Sequence, residues 1–236
     1  MTQPKFKPIL FSAPMVRALL DGRKTQTRRL LKHDSDGPMN EPSTTASVTY
    51  SKGEPAIAHF RGVKSKEFFA GYKCPYGKPG DVLWVRETWG INYFGRLRPW
   101  HFKEGIEIKM EDLVYKSTAG MGYAYGDNDA YFLLDKKWRP SIHMPKAACR
   151  LFLAVVDVRV ERLQDISEED AHLEGCDRTM GHKLNMACGE SAEEVPHKQI
   201  FRKLWQSING LDSWDANPWL WVVTFKRIEK PENWPR

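Results

Sequence analysis

RLFLAVVDVRVERL, residues 150–163, carries the strongest β-strand pattern in the chain. Valines recur at every second position from Val156 to Val160, and charged residues stand between them. Side chains alternate between the two faces of a strand, so the valines share one face and the charges share the other. β-branched residues also favour strands. The segment therefore predicts a long strand with one buried face and one polar face.

Weaker strand patterns lie on both sides of this segment. A Pro79–Gly80 turn precedes an alternating run over residues 82–87, and an apolar run covers residues 218–228. Residues 112–118 and 130–135 are two shorter candidates. Several short strands with few helices between them predict a mainly β, α+β fold. They favour a small twisted barrel over a parallel α/β sheet.

Three helices are predicted around these strands. The first runs from Ser12, a candidate N-cap, to Gly22, a candidate stop. The second covers residues 166–175, with Ser167 as N-cap and acidic residues in its first turn. The third covers residues 195–208 and is amphipathic. These three helices are expected to lie at the periphery of the barrel.

Two polar stretches interrupt the strand pattern. Residues 32–79 are rich in Pro, Gly, Ser and Lys, and short strands are expected there only around SVTY and AIAHF. Residues 176–193 are equally irregular. Both stretches are interpreted as long loop insertions in a single domain that covers residues 1–236.

Composition limits the class of protein. Hydrophobic residues make up 41% of the 236-residue chain and charged residues 28%, which predicts a folded core. The formal net charge is +6, and this favours an acidic partner such as nucleic acid. The nine tryptophans support a core and also offer surfaces for stacking bases.

Location and cofactors are predicted from what the sequence lacks. No apolar run reaches the length of a membrane span, and residues 1–15 do not resemble a signal peptide, so a cytoplasmic protein without membrane contact is expected. The four cysteines should then be reduced and contain no CxxC pair. His172 and Cys176 are spaced for one helix face, but this is a weak zinc pattern. No metal or cofactor is predicted.

The segment LLDGRKTQTRRLL, residues 19–31, concentrates cationic and hydroxyl side chains between two apolar pairs. One interpretation is a solvated turn whose cations lie favourably at the C-terminal end of a helix. The other is a site that holds an anion or reacts with a substrate. The segment alone does not distinguish these two.

Several motifs occur in a particular order along the chain. They are GRKTQTRR (22–29), PGDVLWVRETW (79–89), WRPSIHMPK (138–146), ISEEDAHLEG (166–175) and WDANPW (214–219). Together they resemble the ASCH domain family, and most of all its longer members from phages and prophages. The resemblance covers roughly half of the chain. It implies a PUA-like β-barrel, a link to RNA or modified nucleosides, and a bacterial host cell as the location.

One branch of that family hydrolyses the amide of N4-acetylcytidine with a Lys, a Thr three residues later and a Glu from a later short helix. The resemblance places these roles on Lys24, Thr27 and Glu174.

The chemistry of these residue types is consistent with such roles. A Thr hydroxyl needs a base before it can attack a carbonyl carbon, and a lysine can be that base only if its pKa is lowered. Glu174 could carry protons or orient the lysine, although a nearby carboxylate raises a lysine pKa. Lys24 and Thr27 lie on opposite faces of an ideal strand, and they converge only if Lys24 still belongs to the preceding turn.

Other side chains are candidates for contacts with substrate or nucleic acid. Six residues belong to this group: Arg23, Arg28, Arg29, Arg86, Trp138 and Arg139. A Trp–Arg pair suits a stacked base and a phosphate, and Trp138 suits a place in the core equally well.

The sequence thus predicts a nucleoside- or RNA-directed amidohydrolase in which Lys24 activates Thr27. The alternative is a non-catalytic module that binds RNA, DNA or a modified base, and ribonuclease activity has less support. The substrate itself, protein partners and oligomeric state are not predicted.

Overall fold

The structure is a computed structural model that describes residues 3–32, 45–52, 54–61, 68–91, 113–118, 138–177 and 195–234. Ten strands lie in these ranges: β1 (Phe6–Leu10), β2 (Gln26–Leu30), β3 (Thr45–Thr49), β4 (Ile57–Arg61), β5 (Phe68–Lys73), β6 (Val82–Arg86), β7 (Trp89–Ile91), β8 (Leu113–Tyr115), β9 (Phe152–Arg162) and β10 (Trp219–Ile228). The α-helices in the described part are α1 (Ala13–Leu20), α2 (Glu168–Leu173) and α3 (His197–Asn209).

A five-stranded sheet in the order β1-β6-β9-β10-β2 is the centre of the fold. β1 runs parallel to β6, and the other neighbours are antiparallel. β9 pairs with β10 from Phe152 opposite Ile228 to Arg162 opposite Trp219, with a change of register at Thr224. The long strand predicted over residues 150–163 is confirmed as β9, but Val156, on its predicted buried face, is 50% exposed. The strands predicted over 82–87 and 218–228 are confirmed as well.

The two faces of this sheet bury different partners. Val158 and Val223 lie on one face, in a core that also contains Val16 of α1. Leu220 lies on the other face, in a core with Ile200 of α3. α2 follows β9 in the chain and lies on this second face, where Asp170 of α2 binds Arg28 of β2.

The region predicted as a loop insertion contributes to the first core. β3, β4 and β5 form a second, antiparallel sheet, and Phe60 in β4 is fully buried. The Phe60 ring meets the Trp219 ring edge-on, with 5.2 Å between centroids. The strands expected around SVTY and AIAHF are confirmed as β3 and β4, and β5 is a further strand that the sequence pattern did not predict. Small residues such as Ala58 weaken the apolar pattern there although they are buried.

The strands of the described ranges form three sheets and no closed barrel; the third sheet pairs β7 with β8. The prediction of a mainly β fold with few helices is confirmed. β1 and β2 are the two edges of the central sheet, and a side chain joins them, because Arg29 Nη2 donates to the Leu10 carbonyl at 2.6 Å. The predicted strand over 130–135 and most of the 176–193 insertion lie outside the described residues.

A membrane-spanning helix is not found in the described ranges, since no helix there is both long enough and apolar enough.

Replacement of Phe60 by alanine tests whether β4 belongs to the main core. The change removes a fully buried ring from its contact with Trp219, so the free energy of unfolding should fall by about 3–5 kcal/mol. Arg61→Ala, at the exposed next position, should change it by less than about 0.5 kcal/mol. Urea unfolding measures the change in the free energy of unfolding for each variant. Equal, small effects of the two variants would show that the second sheet is not part of this core.

Candidate functional site

The turn between α1 and β2 fixes Lys24 before the strand begins. The backbone N–H groups of Arg23 and Lys24 both donate to the Ala18 carbonyl, at 2.9 and 3.1 Å. Gly22 has a φ of 75°, which glycine adopts without steric cost. β2 starts only at Gln26. Lys24 therefore belongs to the turn, and the alternation of side chains along β2 does not govern its direction.

Lys24 is buried with all the N–H groups of its ammonium satisfied. Its side chain is 1% exposed, and Nζ donates to the Gln26 carbonyl at 2.7 Å. Nζ also donates to the Glu174 carbonyl and to Glu174 Oε2, both at 2.8 Å. Glu174 follows the last residue of α2, so the strand edge and the helix end meet at this ammonium.

The position of Lys24 lowers its pKa. Burial removes the charged ammonium from water and lowers the pKa from 10.5, while the Glu174 carboxylate opposes this effect without cancelling it. The neutral amine is therefore reached at a lower pH than in an exposed lysine. A lysine in such surroundings can exchange a proton with a neighbouring group.

Arg28 is buried like Lys24 and contacts three carboxylates. Its side chain is completely enclosed. Nη2 donates to Asp170 at 2.6 Å and Glu161 at 2.9 Å, and Nη1 lies 3.3 Å from Glu174 Oε1. Arg159 joins the same group through Asp170 at 2.9 Å. We call this set of side chains the ionic cluster: Lys24, Gln26, Arg28, Arg159, Glu161, Asp170 and Glu174.

Thr27 lies on the opposite face of β2 from Arg28. It is buried and pairs with Val223 of β10, whose side chain is in the first core. Within the described part of the chain its hydroxyl makes no hydrogen bond to Lys24 or Glu174. The structure thus brings Lys24 and Glu174 together and leaves Thr27 outside their hydrogen bonds.

The two remaining arginines of the basic segment differ in their surroundings. Arg23 pairs with Asp21 at 2.8 Å and with Asp177 at 2.9 Å. Arg29 is half-buried, and its guanidinium lies 5.3 Å from the centroid of the Phe11 ring. Lys24 Nζ lies 5.4 Å from the centroid of the same ring. Lys24 and Arg29 are therefore neighbours across Phe11.

Arg86, Trp138 and Arg139 are the remaining candidates from the sequence. The Arg86 guanidinium lies 5.4 Å from the Trp84 ring centroid and donates to the Ile142 carbonyl. Arg139 is exposed and lies 5.0 Å from the ring centroid of Trp89, to which its backbone is also bonded. Trp138 is half-buried. No contact within the described residues joins this group to Lys24, Thr27 or Glu174.

The sequence did not predict the carboxylates and Arg159 that surround Arg28. In the sequence, Arg159 and Glu161 belong to the polar face of a predicted strand, and Asp170 belongs to the acidic first turn of a predicted helix. The sequence signal for Arg159 and Glu161 is the alternation along β9. One face of that strand carries charged side chains, and in the structure this face lies against α2. A second buried carboxylate, Glu87, accepts two hydrogen bonds from Arg150, at 2.8 and 3.1 Å.

Metal ligands are not assembled in the described part of the chain. No group of three or more His, Cys, Asp or Glu residues there has the geometry of a cation site. Cys74, Cys149 and Cys176 are buried thiols, and Cys188 lies outside the described residues. Burial raises the pKa of the Cys176 thiol to about 12, so it remains protonated at neutral pH.

A cleft of about 230 Å³ lies at another part of the fold. Its walls are formed by Gln3, Pro4, Lys5, Lys78, Pro79, Gly80 and Asp81. None of the sequence-predicted site residues lines it. Asp81 in its wall accepts backbone N–H groups of Lys5 and Lys78 and so holds the turn before β6.

Comparison with known proteins does not assign this chain to a family. No family model matches the chain, and no curated protein matches it. The crystal structure of an Enterococcus faecalis V583 protein with the family model DUF984 aligns with 100% of this chain and 87% of that chain. The identity is 11% and the TM-score is 0.33, values that support no conclusion about fold or function.

Replacement of Asp170 by asparagine tests the ionic cluster through pH. Burial alone would raise the pKa of Asp170, but donors from Gln26, Arg28 and Arg159 outweigh it and lower the pKa below 3.8. A lowered carboxyl pKa stabilises the fold above the unfolded value and less as pH falls through the folded value. Asp170→Asn should therefore reduce the free energy of unfolding at pH 7 by about 1.5–3 kcal/mol.

The difference from wild type should shrink when urea unfolding is repeated below pH 3.8. Glu169→Gln, at an exposed position of the same helix, serves as control and should have little effect at either pH. An Asp170→Asn loss that is the same at both pH values would exclude this electrostatic role.

Proposed function

We propose that this protein hydrolyses the amide of an N4-acylated cytidine, as a nucleoside or within RNA. Lys24, Thr27 and Glu174 are the reacting groups in this proposal. The observation that carries it is a buried lysine with a lowered pKa, bonded at 2.8 Å to a carboxylate. Such pairs occur where a protein moves protons at neutral pH. A PUA-like arrangement of the central sheet is part of the same proposal.

The first half of the reaction forms an acyl-enzyme. Lys24 in its neutral form, hydrogen-bonded to Glu174, takes the proton of the Thr27 hydroxyl. Thr27 Oγ1 attacks the acyl carbonyl carbon and forms a tetrahedral intermediate. When the carbon–nitrogen bond breaks, the Lys24 ammonium returns a proton to the exocyclic amine of the base. Cytidine leaves, and the acyl group remains as an ester of Thr27.

The second half releases the acid. Water attacks the ester carbonyl while Lys24 accepts its proton, and the carbon–oxygen bond to Thr27 breaks as that proton returns to the hydroxyl. The sum is substrate and water converted to cytidine and a carboxylic acid. Arg28 positions Glu174 in this scheme, because its enclosed guanidinium already contacts three carboxylates and has no open side toward a substrate.

Hydrolysis of N4-acetylcytidine by the purified protein tests the proposal. Thr27→Val keeps the shape of the side chain and removes the nucleophile, so kcat/KM should fall at least about a hundredfold. Lys24→Met should have a comparable effect. Thr25→Val, two residues earlier, also removes a hydroxyl and should retain activity. Circular dichroism checks that each variant is folded.

Absence of product at high enzyme concentration would refute hydrolysis. Salt-dependent RNA binding in that case would favour the alternative of a non-catalytic binding module. A Thr27→Val variant as active as wild type would remove Thr27 from the mechanism.

The pH dependence of kcat/KM reports the state of Lys24. The base is the neutral amine, so the rate should rise with pH along a limb whose midpoint lies below 10.5, since burial lowers the pKa of Lys24. Glu174 opposes that lowering. In Glu174→Gln the residual activity should therefore rise at a lower pH than in wild type. A limb that stays in place, or moves to higher pH, would contradict the assignment of Lys24 as base.

A further inference from the structure

We infer that Arg29 binds a phosphate group of the substrate, so that the preferred substrate is a nucleotide or an RNA and not a free nucleoside. This inference rests on the proposed function, because it names the substrate class of the same site. The argument begins with the charges of the basic segment.

Three of the four cations in this segment have carboxylate partners. Lys24 is bonded to Glu174, and Arg28 contacts three carboxylates of the ionic cluster. Arg23 pairs with Asp21 and Asp177. Arg29 alone among them has no carboxylate within bonding distance in the part of the chain that the structure describes. A half-buried guanidinium without a counter-ion loses hydration and gains no ion pair in return.

The donors of Arg29 are mostly unused. A guanidinium has five N–H groups, and among the described residues a single one of them, on Nη2, has a partner, the Leu10 carbonyl at 2.6 Å. Arg29 Nε is buried and has no hydrogen-bond partner in the described structure. The Leu10 bond and the Phe11 ring hold the guanidinium in place, so it is positioned before any ligand arrives.

Arg29 is placed to act on the substrate of Thr27. The two residues are separated by one position in β2, so their side chains share a face of the strand. Arg29 and Lys24 also lie against the same Phe11 ring. A ligand whose acyl group reaches Thr27 therefore has beside it a cation that lacks a carboxylate partner among the described residues.

The planar guanidinium of Arg29 determines which class of ligand is preferred. A planar guanidinium binds phosphate through two parallel hydrogen bonds. A neutral N4-acylated nucleoside has no anionic group at pH 7, whereas a nucleotide has one on its ribose. A carboxylate at the far end of the acyl group is the other anion that could occupy this position, and the experiment separates the two.

Binding and turnover are measured with matched ligand pairs at fixed ionic strength. Calorimetry compares cytidine 5′-monophosphate with cytidine, and kinetics compares N4-acetylcytidine 5′-monophosphate with N4-acetylcytidine. We expect the monophosphate to be preferred about tenfold or more in both measurements. In Arg29→Gln the ratio should fall about tenfold. Arg202→Gln removes an exposed positive charge on α3 and should leave the ratio unchanged.

Equal affinity for the two ligands in wild type, or a preference that survives Arg29→Gln, would overturn the inference. An Arg29-dependent preference for N4-succinylcytidine over N4-acetylcytidine, without one for the monophosphate, would assign the anion to the acyl group and also overturn it. If neither substrate is hydrolysed but the Arg29-dependent preference for cytidine 5′-monophosphate persists, the phosphate site stands and the proposed hydrolysis fails.

Discussion

The contact between Lys24 and Glu174 joins parts of the chain that are 150 residues apart. It is a buried ion pair, and each partner would be a costly charge without the other. Arg28 contacts the second oxygen of the same carboxylate, and the Thr25 N–H donates to the Leu173 carbonyl beside it. The end of α2 is thus attached to the edge of the central sheet by charge and by backbone together. The candidate site exists only because this attachment forms.

The ionic cluster contains equal numbers of positive and negative charges. Three cations, Lys24, Arg28 and Arg159, face three carboxylates, so the interior has no excess charge of its own. Burial lowers the pKa of Lys24, Glu174 opposes the effect, and the nearby Arg29 adds to the lowering. Arg29 therefore has two consequences in the proposed function: it makes Lys24 easier to deprotonate, and it leaves a positive charge for the substrate to neutralise.

Sequence patterns predicted most of the sheet but not the ionic cluster. Local signals can be recognised in a single sequence. Examples are the alternation of β9, the turn before β6 and the cap of α2 at Ser167. The buried role of β4 was missed because its contacts with Trp219 are long-range. Asp170 was missed for the same reason, since only the packing of α2 against β9 reveals that a carboxylate in the first turn of α2 also binds two arginines.

β2 has two faces and one edge, and each has a separate role. Thr25 accepts a hydrogen bond from Phe225 and Leu31 donates one to Trp219, so the backbone of Gln26 points away from β10. Lys24 Nζ binds that outward carbonyl and so occupies the strand edge. From the edge it reaches Glu174 on the side of α2 and lies against Phe11 on the side of the core. A lysine within the strand would reach only one face, whereas a lysine in the turn before it connects the ionic cluster with the face that carries Thr27 and Arg29.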